Sequence, residues 1–94
     1  MLVPSTFDPE IADLRAEIDA IDAEIVALVL RRARISRQIQ RFRIPAGGVR
    51  VDLARERDIV TFYRSRLGRT GLHLATRILL HCRGSFGSDN GDLG

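Results

Sequence analysis

Residues 14–42 read LRAEIDAIDAEIVALVLRRARISRQIQRF, and their apolar positions step by three and four. Leu14, Ile18, Ile21, Ile25 and Leu28 recur at the period of an α-helix and mark one face of it. The stripe then passes through Arg32 before resuming at Ile35, Ile39 and Phe42. A guanidinium is charged at any workable pH, so one set on an apolar face needs an anion beside it. Either the protein supplies that anion or a ligand does.

Working outward from this stretch, Asp8-Pro9-Glu10 reads as a helix start, with Asp as N-cap and Pro in the first turn. From Glu10 to Arg43 there is neither Gly nor Pro, which predicts one helix of roughly 35 residues and ~50 Å at 1.5 Å per residue. Ile44-Pro45-Ala46-Gly47-Gly48 ends it. Asp52 is placed to cap a second helix running to Leu67, with Leu53, Glu56, Ile59 or Val60, Tyr63 and Leu67 facing inward. Gly68 to Gly71 reads as a turn. A third helix from Leu72 to Arg83 should bury Leu72, Ala75, Leu79 and Cys82. The expectation is an all-α, three-helix chain with one long N-terminal helix: residues 1–7 a flexible lead-in, 8–84 the helical domain, 85–94 a Gly- and Ser-rich flexible tail.

The lengths do not match. Two helices of ~25 Å and ~18 Å cannot cover one of ~50 Å, so half of its apolar stripe would face water, a patch larger than monomers normally expose. A second copy of the chain is the simplest cover, and an intertwined helical homodimer is expected.

Composition narrows the function classes. All fifteen cations are Arg, against twelve acids, for a net charge of +3 in 94 residues. One Tyr, four Phe and no Trp give little stacking surface for nucleic acid. No apolar run approaches membrane-spanning length, and the acidic N-terminus is unlike a signal peptide. The single cysteine, Cys82, suits a reducing compartment and reads as a small buried core residue. A cytoplasmic protein without nucleic-acid or membrane partners is expected.

Glu56 is a second charge on a predicted inward face and could pair with Arg32. Further arginines lie nearby in the sequence: Arg43 one turn beyond Ile39, Arg50 and Arg55 around the start of the second helix, Arg15 beside Leu14. Three or four of them converging would exceed what Glu56 and Asp52 neutralise, and the remainder suits a small dianion held by bidentate hydrogen bonds. Conventional catalytic machinery is missing from the pattern. The serines lie in no nucleophile elbow, His73 and His81 match no metal-ligand spacing, and Gly47-Gly48 lacks the Lys-Ser/Thr of a phosphate loop.

These residues resemble a known family, the all-helical chorismate mutases, and most closely its short, single-domain actinobacterial forms. Leu14-Arg15-Ala16-Glu17-Ile18-Asp19-Ala20-Ile21-Asp22, Ala27-Leu28-Val29-Leu30-Arg31-Arg32, Arg41-Phe42-Arg43 and Arg55-Glu56-Arg57 carry the resemblance. It implies a homodimer in which Arg15 reaches the partner's active site. Arg32 would then hold a substrate carboxylate, and Arg43 a carboxylate and the ether oxygen whose bond breaks. Arg55 would support the site, Glu56 would lie near the ring hydroxyl, and Asp52 would assist there. It implies a cofactor-free rearrangement of chorismate to prephenate in phenylalanine and tyrosine biosynthesis, and an activating complex with the first synthase of the shikimate pathway, with Arg83-Gly84 and the tail as the contact region. Many relatives place Gln or Glu of the last helix against the ether oxygen, whereas Gly and Ser follow Arg83 here. On the same scaffold, a 4-amino-4-deoxychorismate mutase, an isochorismate-pyruvate lyase or a non-catalytic helical dimer are the competing readings.

Overall fold

The structure, a computed structural model, describes residues 8–43 and 52–84. They form three helices, α1 (Pro9–Arg43), α2 (Leu53–Leu67) and α3 (Arg69–Gly84), and the all-α expectation holds. The lead-in, the Pro-Gly-Gly connection with Arg50, and the tail lie outside the described residues.

The first two helix starts follow from their caps. Asp8 Oδ1 accepts from the backbone N–H of Glu10 at 2.9 Å, and Asp52 Oδ1 accepts from that of Arg55 at 3.0 Å. Each satisfies an orphan donor of its first turn, worth ~1 kcal/mol.

The third helix departs from expectation. It begins at Arg69, not Leu72, because Gly68 makes the turn alone. With φ at 66°, Gly68 sits in the left-handed region that disfavours a side chain, and its N–H donates to the Arg64 carbonyl at 2.8 Å. Gly71 is helical and does something else. A Cβ built there would lie 2.1 Å from the Tyr63 carbonyl oxygen, so the missing side chain lets α3 approach α2. Alanine is the better helix former by ~1 kcal/mol, yet Gly71→Ala should still destabilise, because the obstacle is backbone. Calorimetry should show a melting temperature lower by on the order of 10 °C, the overpacking cost of ~1–3 kcal/mol.

The described residues divide into two compact units, 8–30 on one side and 31–43 with 52–84 on the other. In the first, Leu14, Ile18, Ile21 and Ile25 on the apolar face of α1 are each more than half exposed. In the second, the core is Ala33, Ala75, Leu79 and Cys82, all under 10% exposed. The α3 stripe Ala75–Leu79–Cys82 was anticipated, while Leu72 is only half-buried. Two expected core positions of α2 fail: Leu53 and Leu67, near its ends, are 65% and 52% exposed. Glu56, Ile59, Val60 and Tyr63 between them are half-buried, as anticipated.

Candidate active site

The second unit holds a cavity of about 250 Å³, just below the ~300–1,000 Å³ common for small-molecule sites. From α1 it takes Arg32, Ser36, Gln40 and Arg43. Their spacing of four, four and three puts these polar groups on one line of the helix, beside Ile35 and Ile39, which also border the cavity. Arg32 therefore belongs to a polar line as much as to the apolar stripe that drew attention to it. Asp52, Arg55, Glu56 and Ile59 enter from the start of α2. Leu79, Cys82 and Arg83 enter from the end of α3.

Five of the six site residues expected from the sequence thus meet in one place: Arg32, Arg43, Asp52, Arg55 and Glu56. The sixth, Arg15, belongs to the first unit and is exposed. Four arginines border the cavity against two acids, so it carries two more positive than negative side chains. Of the two acids, Asp52 already spends one oxygen on the α2 cap.

The polar contacts are not those first suggested. Glu56 pairs with Arg83 across α2 and α3, Oε1 to Nη2 at 3.7 Å, rather than with Arg32. Both side chains are partly solvated, at 22% and 34% exposure, and the separation exceeds a hydrogen bond, so the pair adds little to stability. Arg32, half-buried, donates from Nη1 to Cys82 Sγ at 3.2 Å, a weak acceptor. Among the described residues Arg32 has no ion pair, which leaves its guanidinium to an anionic ligand.

Ser36, Gln40, Cys82 and Arg83 were not anticipated as site residues. The first two were legible as the polar line through Arg32 and Arg43. Ser65 is excluded as a poised nucleophile on better grounds than its sequence context: its hydroxyl donates to the Phe62 carbonyl at 2.7 Å on the surface. Arg66 lies over the Phe62 ring, 5.3 Å from its centroid, and is one of the arginines that serve the surface alone.

Four arginines and two acids, both acids from the start of α2, border this cavity, and an excess of guanidinium groups suits a small dianion. Comparison with known proteins makes this particular. Residues 14–78 match the family model for chorismate mutase type II, and the chain belongs to that family. It is 41% identical over 87 residues to the intracellular chorismate mutase of Mycolicibacterium smegmatis, covering 90% of this chain and 84% of that one. The intracellular chorismate mutase of Mycobacterium tuberculosis strain H37Rv is 47% identical over 79 residues, 84% of this chain and 74% of that one. Among solved structures, a chain of the non-covalent complex of DAHP synthase and chorismate mutase from Corynebacterium glutamicum, with a bound transition state analog, superposes with a TM-score of 0.78. That match is 39% identical and covers 82% of this chain and 93% of that chain.

Proposed function

We propose that this chain catalyses the rearrangement of chorismate to prephenate, an isomerase step of aromatic amino acid biosynthesis. The observation that carries the reading is the cavity bordered by four arginines and two acids in a member of this family. The reaction breaks the ether C–O bond of the enolpyruvyl group while its methylene carbon bonds to the ring, and no atom is gained or lost. It needs no nucleophile, proton transfer, metal or cofactor. What it needs is a dicarboxylate held in a chair-like, near-attack shape and a cation where negative charge grows on the ether oxygen. Arg32 holds one carboxylate. Arg43, at the last turn of α1, serves a carboxylate and the ether oxygen. Arg55 supports that cationic wall, and Glu56, which pairs with Arg83, takes the ring hydroxyl with Asp52.

The working unit is a homodimer. The exposed face of Leu14, Ile18, Ile21 and Ile25 is a contiguous apolar surface beyond what a soluble monomer leaves uncovered. A second copy would cover it and bring its Arg15, on the same stretch of helix, to the other chain's cavity. No helix among the described residues is long and apolar enough to cross a membrane. With relatives named as intracellular, this supports a cytoplasmic enzyme. The solved relative assembled with DAHP synthase supports a complex with that first shikimate enzyme, contacted through Arg83-Gly84 and the tail.

One assay tests these readings together. Purified chain at low-micromolar concentration should convert chorismate to prephenate saturably, and faster with the organism's own DAHP synthase present. Equal rates with and without the synthase remove the activating complex. Turnover of 4-amino-4-deoxychorismate or isochorismate in place of chorismate overturns the substrate assignment in favour of that compound.

A further inference from the structure

We infer that Cys82 is a positioning residue of the active site, its sulfur fixing the rotation of the Arg32 guanidinium so that one bidentate edge faces the substrate. The inference rests on the mutase reading above and concerns how its carboxylate is held.

Three observations meet at this sulfur. Cys82 is 4% exposed, the last member of the α3 stripe that starts at Ala75, so its backbone cannot shift without disturbing the core. It borders the same cavity as Arg32. Its Sγ lies 3.2 Å from Arg32 Nη1. A guanidinium has two edges able to grip a carboxylate bidentately, Nη1 with Nη2 and Nε with Nη2. The Nη1 atom is on the side of the Cδ carbon, so a bond from it to sulfur engages the first edge and leaves Nε and Nη2 available together. Long arginine side chains have several rotamers of similar energy. A fixed acceptor at one nitrogen selects among them before substrate arrives. Sulfur suits the task because a thiol is a weak acceptor. A carboxylate at this place would neutralise Arg32 and compete with the substrate, whereas a methyl group would leave its orientation to chance.

If Arg32 grips the same carboxylate in ground state and transition state, loosening it weakens both about equally, and the loss appears in KM with little change in kcat. A bond from a charged donor to a weak sulfur acceptor corresponds to about a three- to tenfold effect.

The test compares Cys82→Ala, Cys82→Val and Cys82→Ser in the full chain, by steady-state kinetics on chorismate, by calorimetric binding of a dicarboxylate transition-state analogue, and by thermal melting. Cys82→Ala and Cys82→Val should raise KM and the analogue's Kd about three- to tenfold with kcat within about twofold. Cys82→Ser should return both close to wild type, because the hydroxyl oxygen is again an acceptor. Stability should follow the opposite order, since a hydroxyl in this apolar stripe is worse than a methyl. KM values that track melting temperatures, with serine the poorest, would show Cys82 to be packing alone. So would an unchanged KM and Kd in Cys82→Ala. Wild-type chain that neither turns over chorismate nor binds the analogue defeats the mutase reading itself. An active wild type with indifferent Cys82 variants defeats only the role of the sulfur.

Discussion

Arg43→Ala should lower kcat on chorismate by about 10²–10³-fold, the ~3–4 kcal/mol typical of removing a charge-stabilising group from a transition state. The size of the effect follows from where the charge appears. Chorismate brings two carboxylates that are negative throughout, so the cations holding them act on ground state and transition state alike. The ether oxygen becomes negative only as its bond lengthens, and a cation aimed at it lowers the barrier selectively. Arg43 borders the cavity as the half-buried final residue of α1, and its guanidinium also complements the negative end of that helix. Losing that second role costs only ~0.3–1 kcal/mol of stability, so melting and kcat should separate cleanly. Arg43→Lys, which keeps a cation at this place, should retain much of the rate. Arg64→Ala, on the exposed surface of α2, should leave kcat within about twofold, as surface substitutions away from a site do. A near-normal kcat for Arg43→Ala, measured at saturating chorismate, would remove Arg43 from the ether oxygen.

How much of this was legible depends on what kind of signal each residue leaves in one dimension. α1 could be read almost to the residue, because Asp8 and Pro9 announce its start and no Gly or Pro interrupts it before Arg43. Asp52 gave the start of α2 for the same reason. The start of α3 was misread because two glycines three apart look alike as punctuation, although Gly68 turns the chain and Gly71 clears space for the Tyr63 carbonyl. No local pattern distinguishes those uses; only the neighbouring helix does. Arg32 stood out as a charge among aliphatics, and Arg43, Arg55, Asp52 and Glu56 came with the family resemblance. Ser36 and Gln40 were present in the same periodicity, but a reading that ranks helix faces by hydrophobicity follows Ile35 and Ile39 instead. Cys82 and Arg83 were hidden differently. Cys82 has a sufficient role without the site, core packing, and Arg83 lies at the end of the last helix beside the tail, where a charge draws no notice. Their contacts to Arg32 and Glu56 join helices distant in sequence.

Mixing two impaired variants should restore activity if Arg15 works across the dimer. Arg43→Ala alone should lose about 100-fold or more in kcat, and Arg15→Ala alone about 10- to 100-fold in kcat/KM, as losing a charged hydrogen bond to substrate does. In a dimer containing one chain of each kind, the chain with Arg15→Ala keeps its own Arg43 and receives an intact Arg15 from its neighbour. That site is complete, while the other lacks both arginines. Random reassociation of equal amounts makes half the dimers mixed, with one good site in two, so about a quarter of wild-type activity should return. The experiment is to unfold and refold the variants together, then compare with each refolded alone and with a simple mixture that never exchanged. If Arg15 serves its own chain's cavity, every site in every dimer has one defect and co-refolding restores nothing. The double variant Arg15→Ala/Arg43→Ala refolded with wild type supplies the calibration. Its mixed dimers have one wild-type and one doubly defective chain, so an arginine acting across the interface leaves both sites damaged, while one acting within the chain leaves the wild-type site intact. The two pairings therefore respond in opposite directions, and the assignment of Arg15 does not depend on how large either single loss proves to be.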